Sequence, residues 1–366
     1  MSVQRFCLIA AGGTGGHLFP AQSLAEALLS RGWRVHLSTD ARGVKFTNDF
    51  PNATKIIEIK SATFSRGNFA AKALVFPQLF SGIFSAIIQM KRDKPNIIVG
   101  FGGYPSIPVL CAAWLLRLPR VIHEQNGIMG KVNRFFGPRV WRVACGTWPT
   151  VLPRACKAIH IGNPVRAVVQ NHVGSPYIPP GADLTHIFVM GGSQGSRILS
   201  EVVPSAIVDL PANLLFNLRI SHQARDEDQE KVIDVYRRYG IVAEVKSFFG
   251  DVPQRMSSAQ LVISRSGASS LAELTAIGRP SILVPYAAAT ADHQTANARA
   301  LVTAGAAILI PEKSLKISTM TDKIRFVLSQ PDIAQKMAQA AISISKPNAA
   351  EELADLVQSL TRDAAT

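Results

Sequence analysis

Phe6-Cys7-Leu8-Ile9-Ala10-Ala11-Gly12-Gly13-Thr14-Gly15-Gly16-His17 runs from an uncharged strand-like stretch through a glycine turn into a helical pattern, and the second half of the chain repeats the design with His186-Ile187-Phe188-Val189-Met190-Gly191-Gly192-Ser193-Gln194-Gly195. A glycine turn at the carboxyl end of a parallel strand lets the main chain approach an anion closely. The helix behind it presents unpaired N–H groups and the positive end of its dipole. The duplication predicts two similar α/β domains with a ligand cleft between them, each domain able to hold a phosphate or a sugar diphosphate.

Outward from these turns, strand-like runs at 35–38, 97–100 and 121–123 alternate with helical patterns at 18–30, 69–90 and 106–116, and the alternation resumes at 186–190. Such alternation predicts parallel sheets covered by helices on both faces. A polar stretch bearing Pro and Gly, 170–181, is the expected linker. Two further glycine-bearing turns, Gly100-Phe101-Gly102-Gly103-Tyr104-Pro105-Ser106 and Ser264-Arg265-Ser266-Gly267-Ala268-Ser269-Ser270, follow apolar runs. Ligands of open α/β sheets lie beyond the strands' carboxyl ends, where these turns fall.

The chain has 366 residues, 47% of them hydrophobic, which suffices for two domains with buried cores. Four scattered cysteines, Cys7, Cys111, Cys145 and Cys156, form no paired motif and predict reduced thiols. The apolar start is too short for a secretory signal. Of the two charge-free stretches, 73–90 is interrupted by Pro77 and Gln78 and 95–116 is split by the 100–108 turn region, so neither predicts a spanning helix. Charge divides unevenly. Residues 1–166 carry 21 Lys and Arg against 6 Asp and Glu, whereas residues 167–366 carry 18 against 19. A basic first half implies an anionic partner. Nucleic acid is disfavoured as that partner, because the basic residues are not interleaved with aromatic stacking platforms and no recognition module is evident.

Among individual residues, His17 is a candidate general base, since an ordinary imidazole pKa of about 6.5 suits proton transfer near neutrality. A dinucleotide-binding reading of the first turn has Asp40 at the right remove, but Leu18 stands where the third glycine belongs. His123-Glu124-Gln125-Asn126 ends a strand; this is a surface turn unless the strand end faces the cleft, where Asn126 could meet sugar hydroxyls. Arg166 could clamp a phosphate. Asp226-Glu227-Asp228 is read as the charged opening of a helix rather than a metal site, and Asp292 as an N-cap. The apolar residues of 72–92 exceed a single buried stripe. With Trp114, Arg117 and Arg120 they predict a surface patch for an anionic leaflet.

Segments 12–20, 102–106, 123–126, 162–166, 191–198, 265–273 and 292–298 together resemble the MurG family, bacterial transferases of GlcNAc to lipid I, in order and over essentially the whole chain. The resemblance implies an α/β GT-B fold of two Rossmann-like, doubly wound domains. These are 1–165 plus the C-terminal helix 347–366 for the acceptor and membrane, and 166–346 for UDP-GlcNAc. It implies a hexosyltransferase that inverts the anomeric centre, moving GlcNAc to the MurNAc 4-hydroxyl of lipid I to form lipid II at the cytoplasmic membrane face. The alternative is another GT-B UDP-sugar transferase with a different lipid acceptor. Implied partners are UDP-GlcNAc, lipid I, an anionic membrane surface and other cell-wall synthesis proteins; no cofactor and no metal are implied.

Carried over by motif, Thr14, Gly15, Gly16 and Asn126 contact the donor sugar or line the acceptor side. Arg166 and Ser193 hold the UDP phosphates, and Phe249 stands at the uracil-contacting strand end. Ala268, Ser269, Ser270, Leu271, Ala272 and Glu273 form the nucleotide-binding helix start, with Glu273 on the ribose, and Gln294 meets the GlcNAc hydroxyls. Ser269-Ser270 stand where the family often has a more apolar pair, and an alanine-rich stretch, 287–291, precedes Asp292, so the motif does not fix the register of that glutamine.

Overall fold

The computed structural model describes residues 4–13, 15–59, 69–181, 183–192 and 195–363. The chain forms two compact units, Met1–Arg166 with Pro347–Thr366, and Ala167–Lys346. The first contains β1 (Phe6–Ala10), β2 (Arg34–Thr39), β3 (Lys55–Glu58), β4 (Ile97–Gly100), β5 (Arg120–Glu124), β6 (Arg142–Cys145) and β7 (Ala158–His160), in the order β3-β2-β1-β4-β5-β6-β7. The second contains β8 (Thr185–Met190), β9 (Leu218–Gln223), β10 (Val242–Lys246), β11 (Leu261–Ser264), β12 (Ser281–Leu283) and β13 (Ala307–Leu309), in the order β10-β9-β8-β11-β12-β13. The strands pair in parallel in both sheets.

β1 shows why its sequence reads as one apolar run. Cys7 and Ile9 pack on one face of the sheet and Phe6, Leu8 and Ala10 on the other, so each residue is buried. Strand order reverses between β1 and β4 and again between β8 and β11. Each sequence-identified glycine turn therefore leaves its sheet at the topological switch point, where such sheets bind ligands.

The helix Ala349–Asp363 returns to the first unit. Its Leu353, Ala354, Val357 and Leu360 join the core that Leu24 and Leu28 of the helix Gly15–Ser30 also fill. Arg31 pairs with both Glu351 and Asp355 of this last helix.

Two expectations are corrected. Residues 170–181 are not a free linker: Tyr177 Oη donates to the Gln260 carbonyl (2.9 Å), and buried Arg279 donates to the carbonyls of Ser175 and Pro176 (3.0 Å each). Turns within the segment satisfy part of its main chain, and Gln260 and Arg279 of the same unit supply further partners. Pro77 does not interrupt its stretch either, because the helix Phe69–Asp93 runs through it. Packing of that helix along Ser106–Leu115 outweighs the ~3 kcal/mol cost of an internal proline. Among the described residues no helix is long and apolar enough to cross a membrane.

Candidate active site

In the first unit the turns after β1 and β4 interlock through glycines. Gly103 has φ +78°, and a Cβ there would stand 2.8 Å from the Gly12 carbonyl oxygen; a Cβ on Gly12 would meet Pro105 Cγ at 2.5 Å. His17 lies in the first turn of the following helix, its Nδ1 2.9 Å from the Gly12 carbonyl oxygen. A carbonyl only accepts, so Nδ1 carries the proton and Nε2 presents a lone pair. Burial lowers the pKa of His17 below its ordinary value, against the opposing influences of the Gly12 carbonyl and the Glu124 carboxylate. The ring is thus held neutral, in the tautomer a base requires.

The four polar residues ending β5 are not a surface turn. His123, Glu124 and Gln125 are buried, and Asn126 is half-buried. Glu124 Oε1 accepts from the Asn126 main-chain N–H (3.0 Å) and side-chain amide (3.2 Å), while Oε2 accepts from the Gly130 N–H (3.0 Å) and Asn133 Nδ2 (2.9 Å). His123 donates from Nε2 to the Gly162 carbonyl (3.0 Å), and burial pushes its pKa down to about 4. Burial of the Glu124 carboxylate is tolerated because both of its oxygens are hydrogen-bonded, while Gln125 Oε1 and Asn133 Oδ1 have no partner among the described residues. Asn163 Nδ2 donates to the Gln125 carbonyl (3.0 Å). Glu124 and Asn163 stand in motifs read from the sequence but were not read as site residues, and Asn133 was not singled out at all. The one available signal was an acid at a strand end ahead of an asparagine.

Of the other expected residues, Gly15 and Gly16 begin the helix behind the first turn. The ring of Phe19 fills the space a Gly15 Cβ would take (2.8 Å), and the Arg166 guanidinium lies 5.2 Å from the centre of that ring. Arg166 thus belongs to the first unit, one residue beyond the expected boundary. Thr14 and Ser193 lie outside the described residues.

In the second unit the turn after β8 closes on itself: a Cβ on Gly191 would strike Gly195 C and Ser196 N at 2.3 Å, and Gly192 and Gly195 have φ of +84° and +70°. Ala268 opens the helix Ala268–Ile277, whose N-cap Gly267 makes no side-chain cap. The buried hydroxyls of Ser266 and Ser269 at this end have no hydrogen-bond partner among the described residues. Free N–H groups and unsatisfied hydroxyls make this helix end a ready site for an anion or a polyol. Ser270 and Ala272 are half-buried, and Leu271 and Glu273 are buried.

Gln294 Oε1 accepts from the main-chain N–H groups of Ser266 (3.1 Å) and Tyr286 (2.9 Å), fixing its amide orientation. Ahead of it Ala291 and Asp292 both adopt left-handed φ (55° and 53°). Asp292 stands at the N-cap position, but its Oδ1 accepts the Thr295 hydroxyl instead of capping the helix N–H groups (2.7 Å). The Phe249 ring is turned inward, T-shaped against Phe188 and covered by the Arg255 guanidinium at 4.2 Å, so its main chain is the part left for a ligand.

Arg265 was quoted in its motif but not as a site residue. It is buried, and donates to Ser196 Oγ (3.0 Å), the carbonyls of Val284 (3.2 Å) and Pro285 (3.1 Å), and Glu312 (2.7 Å), tying three ligand-side loops together. Asp228 and Glu227 are both paired with Arg225, consistent with the structural reading of that acidic triplet.

The expected apolar patch is visible on the helix Phe69–Asp93. Phe80, Phe84 and Ile88 are 69%, 65% and 51% exposed, whereas Ala86 and Met90 are buried. Trp114, Leu115 and Phe135 are also exposed, and Arg139 stacks on both Trp114 and Phe135. Arg120 is not on this surface: it is buried and donates to the carbonyls of Arg139 and Leu118.

Residues 7–145 match the N-terminal domain of glycosyltransferase family 28 and residues 186–357 its C-terminal domain. The chain is 44% identical over 365 residues to the UDP-N-acetylglucosamine--N-acetylmuramyl-(pentapeptide) pyrophosphoryl-undecaprenol N-acetylglucosamine transferase of Caulobacter vibrioides, covering 98% of this chain and 100% of that one. It is 44% identical over 358 residues to the protein of the same name from Chelativorans, covering 97% and 95%. The crystal structure of Acinetobacter baumannii MurG matches with a TM-score of 0.78 at 28% identity, over 98% of this chain and 100% of that one.

Proposed function

The chain belongs to the MurG family, and from that premise we propose how its two α/β domains divide the chemistry. It is an N-acetylglucosaminyltransferase that moves GlcNAc from UDP-GlcNAc to the MurNAc of undecaprenyl-diphosphoryl-MurNAc-pentapeptide, making lipid II for peptidoglycan. A different lipid acceptor is not favoured, since curated relatives aligned over nearly the full chain share this one name.

The acceptor's 4-hydroxyl oxygen attacks the sugar's anomeric carbon from the face opposite UDP. The bond from that carbon to the β-phosphate oxygen breaks, and the hydroxyl proton passes to His17 Nε2. The outcome is a single displacement with inversion. The observation that carries this role is the bond from His17 Nδ1 to Gly12, which leaves Nε2 as acceptor at the switch point of the first sheet. The departing UDP is stabilised by the N-terminus of Ala268–Ile277, with Arg166 and Ser193 assigned to its phosphates. Glu273 takes the ribose hydroxyls, the Phe249 main chain the uracil, and the Gln294 amide the GlcNAc hydroxyls. Gly15, Gly16 and Asn126, with Thr14, line the acceptor side.

The exposed Phe80, Phe84 and Ile88 with Trp114, and the basic excess of the first half, support docking as a peripheral protein on the anionic cytoplasmic leaflet where lipid I resides. There the product would feed wall growth and hence cell shape and division, alongside other cell-wall synthesis proteins. Transfer of radiolabelled GlcNAc to a lipid I analogue tests the assignment. No transfer under conditions that support the Acinetobacter enzyme overturns it.

A further inference from the structure

We propose that Gln223 is a positioning residue that couples the loop receiving the donor's diphosphate to the loop receiving its base. Gln223 is the last residue of β9, which lies between β8 and β10 in the sheet, so its side chain stands between the turns that leave those two strands. Its carboxamide is nearly buried and engaged on both sides. Oε1 accepts from the Gly191 N–H (3.2 Å), and Nε2 donates to the Ser247 carbonyl (3.1 Å).

The next residues reinforce the clamp. The Ala224 N–H donates to the Lys246 carbonyl (3.0 Å), and Arg225 Cγ occupies the space that a Cβ on Gly195 would need (2.8 Å). An amide is the group that can donate to one loop and accept from the other. A carboxylate there accepts only, and an alkyl chain does neither.

The inference rests on the donor lying in the second unit. Each loop then holds one end of UDP, and the amide fixes the distance between base and diphosphate sites before the nucleotide arrives. Pre-set spacing favours a ligand that spans both loops over one that touches a single loop.

The test is binding of UDP and of uridine to the full-length protein by calorimetry, with steady-state kinetics and thermal unfolding of the same samples. Gln223→Leu is expected to raise the UDP Kd and the KM for UDP-GlcNAc about tenfold, as two lost hydrogen bonds imply. Uridine affinity, acceptor KM and kcat at saturating donor are expected to stay near wild type. Gln223→Glu keeps the size and the bond from Gly191, loses the bond to Ser247 and adds negative charge. It is expected to weaken UDP further than Leu does while sparing uridine, and it carries the test if the leucine variant does not fold.

Equal weakening of UDP and uridine, or no weakening of either, overturns the coupling role. A wild-type protein that binds no UDP refutes the donor assignment itself. Wild-type binding with unchanged variants refutes only the role of Gln223.

Discussion

The turns after β1 and β8 share one backbone device and differ in what stands behind it. Behind the first is a histidine whose Nδ1 is committed to Gly12, with the Glu124 carboxylate near enough to influence its titration. Behind the second stand Gln223 and Arg265, an amide and a permanent cation bonded to neighbouring loops. Under the proposed function, similar glycine geometry serves proton transfer in one unit and fixed anion recognition in the other. The folds are near-equivalent, and the side chains that lock each turn decide its chemistry.

The largest expected effect separates the two. His17→Ala should lower kcat by about 10²–10⁴-fold, the usual contribution of a general base, while UDP affinity stays at the wild-type value. Rate and binding measured on one preparation check this, and a parallel loss of UDP binding breaks the division of labour. Since the His17 pKa of the free protein lies below its ordinary value, the neutral base persists on acidification, and the acid limb of the kcat/KM profile should fall below about pH 6.5.

Next in size is Glu124→Gln. It turns one oxygen, which accepts two N–H bonds, into a donor facing those groups, and even one of these charge-assisted bonds, about 1.5–3 kcal/mol, predicts roughly a 10–100-fold fall in kcat/KM for the acceptor. Donor KM measured at saturating acceptor should not move.

Each unit also buries one histidine completely, which sharpens the comparison through stability. Burial depresses His123 to about 4 and His222 to about 3. In the unfolded chain both protonate near 6.5, so between that pH and the folded values the unfolded state binds more protons and stability falls as pH falls. The slope should be about 1.4 kcal/mol per pH unit for each histidine, read from denaturant unfolding between pH 7 and 4. His123→Gln should flatten the transition of the first unit alone. The smallest effect expected is none: chelation with EDTA should leave turnover unchanged, whereas strict magnesium dependence would place the leaving-group charge on a metal.

The glycine turns and the central strands were legible because a parallel strand buried on both faces is written as an unbroken apolar run. β3, β6 and β7 were not. The β3 strand Lys55-Ile56-Ile57-Glu58 and the largely exposed Ala158-Ile159-His160 of β7 are the outermost strands of the sheet, and β6 opens on a half-exposed Arg142. The buried network around Glu124 was hidden for a related reason: four polar letters in a row spell a surface turn unless their partners are known, and Asn133 and Gly130 lie further along the chain. Gln223 and Arg265 escaped likewise. Their roles come from spanning loops that only the folded sheet brings side by side.

The last helix, which completes the first unit's core, has a consequence for biosynthesis. A ribosome delivers residues 1–166 early, but Leu353, Ala354, Val357 and Leu360 emerge only after the whole second unit has been made. The nascent first unit must wait with an uncovered apolar groove beside Leu24 and Leu28. Its maturation waits on synthesis of the second unit, and a chain stopped before residue 349 leaves that first half unfinished.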